Sequence, residues 1–414
     1  MDLREKECAA GLIDRFMRYV KICTTSNGYS SATPSTEEQW ELAKLLVEEL
    51  KSIGIDDIEL TSACYVIARV PSNSAHDLPA IGFLAHIDTS PDVNGKNVTP
   101  ILEEYNGLAI QLKEGVVLDP ASDSDLAAHK GKSIIHTDGT SLLGADDKAG
   151  IAEIMTALAY LLAHPEIKRP PLEIIFSPDE ETGNGLAELP FDKLKSKFCY
   201  TLDGGPSPEI EAECFNAYSA VVQFYGNVIH PGSARGKLTN AAVMAAYFAS
   251  LIPRSESPEA TDGYYGYYCV TKIEGAQEKA HIELLIRDFE QEGITRRLTA
   301  LVSFARATEA AFPGGKIKIE TKSSYFNMKE KINAEPAVME KLIAACRNTG
   351  IEPVLKPIRG GTDGSRLTEL GIPTPNIFTG ARNFHSRKEW ASLDEMLAAV
   401  RLIVELTKLW ADAA

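Results

Sequence analysis

The stretch LEIIFSPDEETGNG, residues 172–185, runs an apolar segment straight into three successive carboxylates, Asp179, Glu180 and Glu181. Continuous apolar runs of this length are found in the central strands of parallel sheets, which are buried on both faces. In α/β proteins, ligands gather at the C-terminal edge of such a sheet, and that is where the three acids fall. Like charges repel, and desolvating each one costs free energy unless a cation answers it. A solvated acidic loop is the competing reading, but the preceding strand and the tight turn allowed by Gly183 and Gly185 weigh against it.

Working outward, SKFCYTLDG (196–204) is a second continuous apolar run, and PAIGFLAHID (79–88) a third strand. Between them KAGIAEIMTALAYLLAHP (148–165) reads as an apolar helix ended by Pro165. Two helices open the chain. The second, STEEQWELAKLLVEELKSIG (35–54), begins with a Ser35-x-x-Glu38 capping box and carries Leu42, Leu46 and Leu50 at four-residue spacing. Residues 91–142 read as an excursion over the surface. Strands alternating with helices predict an α/β domain with a mostly parallel sheet flanked by helices.

From about residue 215 the order becomes strand, helix, strand, strand, helix, strand, with the turn-like GAQE (275–278) making the middle pair a hairpin. This β-α-β-β-α-β order is the split βαβ arrangement. After it the α/β texture returns, and a last helix is announced by Ser392-x-x-Glu395. The expected organisation is one discontinuous α/β domain, 1–214 with 328–414, interrupted by a smaller α+β domain, 215–327.

At 414 residues the chain exceeds what one hydrophobic core usually serves. The 42 basic and 58 acidic residues give a net charge of −16, which argues against nucleic acid as the main partner. Seven scattered cysteines with no C-x-x-C pair read as reduced thiols of a cytoplasmic protein. The opening MDLREKECAAGLIDRF has no apolar core, so no signal peptide is expected, and no apolar run is long enough to span a membrane.

Chemistry-bearing residues recur at the ends of these strands. His86 and Asp88 are two apart on one strand and share a face. A carboxylate beside a metal-binding imidazole fixes its orientation and raises its basicity, although His-x-Asp alone is equally an ordinary polar strand end. Asp146 and Asp147 precede the 148–165 helix, where capping and metal ligation compete. Asp203 ends the strand 196–204, and His385 lies in NIFTGARNFHSRKEW. Two His and several acids without Cys suit zinc, with manganese or cobalt as substitutes, in a catalytic setting. A carboxylate bridging two cations would hold them roughly 3.5–4 Å apart.

The motifs IGFLAHIDTSPD, LLGADDKAGIAEIMTALA, SPDEETG, LDGG, VIHPGSARG, IRDF, KPIRGGTDG, NIFTG and FHS together resemble the peptidase T family. That family is the tripeptide-aminopeptidase branch of the aminoacylase and carboxypeptidase-G-like dizinc hydrolases. The resemblance covers nearly the whole chain. It implies two zinc ions per subunit, one held by His86 and Asp203, the other by Glu181 and His385, with Asp146 bridging and the Asp146–Asp147 peptide cis. It further implies that Asp88 orients His86, and that Glu180 is the general base that activates a bridging water and later protonates the leaving amine. His230 would stabilise the oxyanion from the inserted domain, which would act as a lid and join two subunits into a homodimer. Asn240, Arg287 and Arg359 match substrate-binding positions. The implied substrate is a short peptide, a tripeptide foremost, with a dipeptide or an N-acyl amino acid as the alternative. Ser386 departs from the Gly usual beside the His ligand, and residues 20–34 and 91–135 diverge most.

Overall fold

The strand at the head of the sequence reading, Leu172–Ser177, is buried at every position, and so is its neighbour Ile81–His86. Continuous apolar sequence is what such strands require, because helices or loops cover both faces. In this computed structural model, which describes residues 3–412, the two lie inside an eight-stranded sheet. The spatial order is Asp57–Leu60, Val66–Val70, Leu172–Ser177, Ile81–His86, Phe198–Gly204, Asn376–Phe378, Glu209–Cys214 and Val354–Ile358.

The central pairings, from Leu172–Ser177 to Asn376–Phe378, are parallel. Outside them Val66–Val70 pairs antiparallel with Leu172–Ser177, Asp57–Leu60 with Val66–Val70, and Glu209–Cys214 with Asn376–Phe378. The sheet is therefore mixed, with its parallel part at the centre. The C-terminal ends of the parallel strands carry His86, the turn after Ser177, and Asp203 to one edge.

Helix Ala145–Ala163 packs on this sheet. Most of its residues are buried, as its largely apolar sequence requires. Gly150 sits in it for a packing reason: a Cβ there would overlap the carbonyl oxygen of Leu202 and press on Asp147. The helix Leu393–Ala411 and the N-terminal helices complete the same core, with Leu12, Phe16, Leu46, Phe83, Ile154 and Leu402 all buried. The excursion 91–142 contributes two strands to a second, four-stranded antiparallel sheet, in which Ile101–Glu104 pairs with Ser133–His136, that with Trp390–Ser392, and that with Ala381–Arg382.

Neither capping box forms. Helix Gln39–Ser52 starts at Glu38 without a side-chain cap, and Ser35 instead bonds Asp179. The last helix starts after Ser392 without a side-chain cap, while Glu395 accepts from Arg382 and from the Ser207 N–H.

The chain divides into two compact units. The larger comprises residues 1–212, 330–356 and 362–414, and the smaller comprises 213–329 and 357–361. In the smaller unit the strands Asn216–Tyr225, Tyr267–Gly275, Lys279–Asp288 and Lys316–Tyr325 form an antiparallel sheet. Helices Ala241–Leu251 and Gln291–Ala311 fill the β-α-β-β-α-β order, and Val222, Phe224, Phe248, Ile282 and Leu301 make its own core. Among the described residues no helix is long and apolar enough to cross a membrane, and no cysteine is in a disulfide.

Candidate active site and metal centre

The larger unit brings five of the named side chains together. Asp146 sits at their middle, with Oδ1 2.9 Å from Nε2 of His86 and Oδ2 3.2 Å from Nε2 of His385. Asp203 stands 3.7 Å from the same nitrogen of His86, and Glu181 2.9 Å from that of His385. Two donor groups result, His86–Asp146–Asp203 and Asp146–Glu181–His385, each with its ligating atoms within 4.8 Å of one another. Both imidazoles turn Nε2 toward Asp146.

The other ring nitrogen of each imidazole is held from behind. Nδ1 of His86 lies 3.1 Å from the carbonyl oxygen and 3.3 Å from the carboxylate of Asp88. Nδ1 of His385 lies 3.1 Å from the carboxylate of Asp92. Such partners fix ring orientation and raise ligand basicity. Asp88 does more: its carboxylate accepts the backbone N–H groups of Glu180 and Glu181, tying the acidic turn to the end of the His86 strand.

The two acids in the first turn of the long helix divide their work. Asp146 has non-helical backbone angles and faces the imidazoles, while Gly144, at the helix cap, offers no side chain. Asp147 turns inward, accepting from the Gly150 N–H in the manner of a cap and from the His86 N–H. The peptide between them is cis. Asp179, in left-handed backbone (φ 59°), points away from the imidazoles and accepts from Ser35 and Gln39.

Electrostatics among the protein groups alone shows how much positive charge this cluster demands. Burial raises Glu181 to about 7 and Asp203 to about 6 despite their histidine partners. Burial pushes Glu180 well above the ordinary range, and repulsion from Asp203, Asp363 and Glu181 adds to it. Hydrogen bonds to Asp146 and then Glu181 raise His385 to about 11. Burial alone would lower His86, yet its contacts with Asp146, Asp203 and Asp88 raise it. Burial would raise Asp146, but its two histidine partners hold it below the usual carboxylate range. Cations at the Nε2 positions would take over the compensation that the imidazolium protons otherwise provide. The donor set fits such ions: nitrogen and oxygen only, with Oε1 of Glu181 buried and without a hydrogen-bond partner.

The remaining named residues lie in the smaller unit. His230 is largely exposed, and its Nδ1 accepts the Gly232 N–H, which leaves the proton on Nε2. Asn240 caps helix Ala241–Leu251 through its side-chain oxygen, accepting from Ala242 and Val243. Arg287 donates to the carbonyls of Tyr218 and Ile286 beneath the ring of Tyr325. Arg359 stacks on Phe215 and Tyr267 and donates both Nη groups to Gly263, Tyr265 and Thr261. A bidentate grip on a carboxylate would have to displace those bonds.

Sequence reasoning passed over Asp92, Glu389 and Asp363. Asp92 is the last residue of the quoted motif IGFLAHIDTSPD, but no local spacing ties it to His385. Glu389 is buried and accepts the N–H groups of Leu143, Gly144 and Asp146. Asp363 is buried, hydrogen-bonded to Ser177 at 2.5 Å, and raised by burial to about 7.

Comparison with known proteins sharpens this picture. The model of Peptidase family M20/M25/M40 matches residues 127–409. A Peptidase T of Geobacillus sp. (strain WCH70) is 46% identical over 406 residues, covering 97% of this chain and 99% of that protein. Peptidase T of Clostridium perfringens (strain SM101 / Type A) is 46% identical over 400 residues, covering 96% and 98%. Among solved structures, an aminopeptidase PepT from Bacillus cereus ATCC 10987 superposes with a TM-score of 0.76 at 21% identity, covering 97% and 99%. A dinuclear metal binding peptidase of the M20 family from Bacillus subtilis superposes with 0.69 at 14% identity, covering 99% and 100%.

Proposed function

This chain belongs to the M20/M25/M40 peptidase family, among its peptidase T members, and on that premise we propose that it removes the N-terminal residue from short peptides, tripeptides foremost. The peptidase T name of the curated relatives and the tripeptidase described from Staphylococcus aureus support the substrate class. The observation that carries the metal reading is Asp146, which offers one carboxylate oxygen to each of two imidazoles, each backed by a further acid.

In this reading His86 and Asp203 would hold one zinc ion and Glu181 and His385 the other, with Asp146 offered to both; manganese or cobalt would substitute. The metal pair would supply Lewis-acid activation of water and of the scissile carbonyl. Glu180 takes the proton from the attacking water and delivers it to the leaving amine. Burial and the neighbouring acids raise its pKa, which makes its carboxylate a stronger proton acceptor. Asp88 keeps His86 in register and fixes the turn on which Glu180 stands.

His230 donates its Nε2–H to the developing oxyanion, a role supported by the tautomer its Nδ1 contact selects. Asn240, Arg287 and Arg359 belong to the peptide-binding surface in the same proposal. The smaller unit is the lid and the homodimer contact. Its edge strand Tyr267–Gly275 leaves Val270 and Ile273 exposed, as an edge that pairs with another copy would. A cytoplasmic location goes with the reduced-thiol reading of the cysteines.

The test is turnover of Leu-Gly-Gly-type tripeptides beside N-acetyl amino acids, before and after chelation and after zinc is restored. Tripeptide cleavage that chelation abolishes and zinc restores is expected. Faster deacylation than peptide cleavage would replace the substrate assignment, and activity that survives complete metal removal would end the metal reading.

A further inference from the structure

Glu389 is 2% exposed, and each of its carboxylate oxygens accepts from the backbone. Oε2 accepts the N–H groups of Leu143 and Gly144 at 2.8 Å each, and Oε1 accepts that of Asp146 at 3.0 Å. Gly144 takes φ 76° here, a left-handed turn that helps consecutive N–H groups converge on one anion. The turn that leads into helix Ala145–Ala163 is therefore held by a carboxylate far away in sequence, since Gly144 has no side chain to give.

The backbone of Glu389 belongs to a different loop. It lies four residues beyond His385, its N–H donates to the Ser386 carbonyl, and the strand Trp390–Ser392 that follows is paired with Ser133–His136. One buried side chain thus joins the loop that carries His385 to the loop that carries Asp146. It touches neither imidazole and has no oxygen free to ligate.

We infer that Glu389 is a positioning residue that sets the spacing between Asp146 and His385 and thereby the affinity of the cation site formed by Asp146, Glu181 and His385. The inference rests on the dinuclear reading above. An amide in its place would turn an NH2 group toward at least one of the three N–H donors, opening the Asp146 loop without emptying the space.

The experiment is a zinc titration of the full-length protein by chelator competition, with the visible spectrum of the cobalt-substituted protein as a second readout. H385A marks which equivalent belongs to this site. E389Q is expected to weaken that equivalent by about 10–100-fold, to weaken the other, which shares Asp146, by a smaller factor, and to change most the cobalt bands that H385A removes. A folded E389Q with both affinities and the spectrum unchanged overturns the inference, even if its thermal stability falls, because that is the mark of a purely structural role. Should E389Q fail to fold, E389D, which keeps the charge and shortens the reach, carries the same two outcomes. A wild-type protein that binds fewer than two equivalents overturns the dinuclear reading itself, and this inference with it.

Discussion

The carboxylate of Asp88 accepts the backbone N–H groups of Glu180 and Glu181 at 3.0 and 3.2 Å while standing 3.3 Å from Nδ1 of His86. One side chain therefore orients an imidazole and pins the turn that presents two acids. D88A frees both at once. The expected outcome is about a 10–100-fold loss of zinc affinity, with kcat reduced by at least about 100-fold. D88N, which keeps an acceptor oxygen, should fall between D88A and wild type. Wild-type affinity and turnover in D88A would show that the contact is ornamental.

Glu180 and Glu181 are neighbours with separate assignments, and a single substitution separates them. E180Q preserves volume and removes the proton acceptor. It should lower kcat by about 100- to 10,000-fold, shift KM by only a few-fold, and retain both zinc equivalents. E181Q should instead lose one equivalent. If E180Q kept turnover within tenfold of wild type, another group would have to be the base.

Much of this was legible because strand-end chemistry is local. His86, the acids 179–181 and Asp203 each end or follow a short continuous apolar run of the kind central strands require, and parallel strands deliver such ends to one edge. What was not legible depends on pairs far apart in the chain. His385 meets Asp92 across 293 positions, and Leu143 meets Glu389 across 246. Ser35 illustrates the failure in reverse. Its local pattern matches a capping box, but the buried carboxylate of Asp179 is a better partner than a helix end open to water. The antiparallel flanks of the large sheet escaped for a related reason, since strand direction is set by where the chain re-enters the sheet and not by the strand's own residues.

Gly150 offers a test of the packing that holds Asp203 against the long helix. In an open helix, Gly→Ala stabilises by about 1 kcal/mol. Here the added carbon would overlap the Leu202 carbonyl oxygen, one residue from Asp203, and crowd Asp147. G150A is therefore expected to destabilise the protein by about 1–3 kcal/mol in denaturant unfolding and to weaken zinc binding. A stabilised G150A would show that helix Ala145–Ala163 and strand Phe198–Gly204 are not packed as closely as described.

Glu153 carries a pH dependence whose sign follows from its surroundings. It lies in the middle of the same helix, 0% exposed, with neither carboxylate oxygen hydrogen-bonded. Burial, and then repulsion from Asp147, raises its pKa well above the ordinary glutamate value of 4.5. The folded protein therefore keeps a proton that the unfolded chain has already released. Where the native state binds more protons than the unfolded one, stability falls as pH rises, here from about 4.5 up to the folded-state value. Each pH unit crossed in that window costs wild type about 1.4 kcal/mol. E153M removes the titrating group at similar volume. Unfolding midpoints compared at pH 5 and pH 8 should show the variant gaining on wild type at the higher pH. An advantage that is equal at both values would mean that Glu153 is ionised in the fold, answered by a cation, and that the helix interior is not the dry apolar site its neighbours make it.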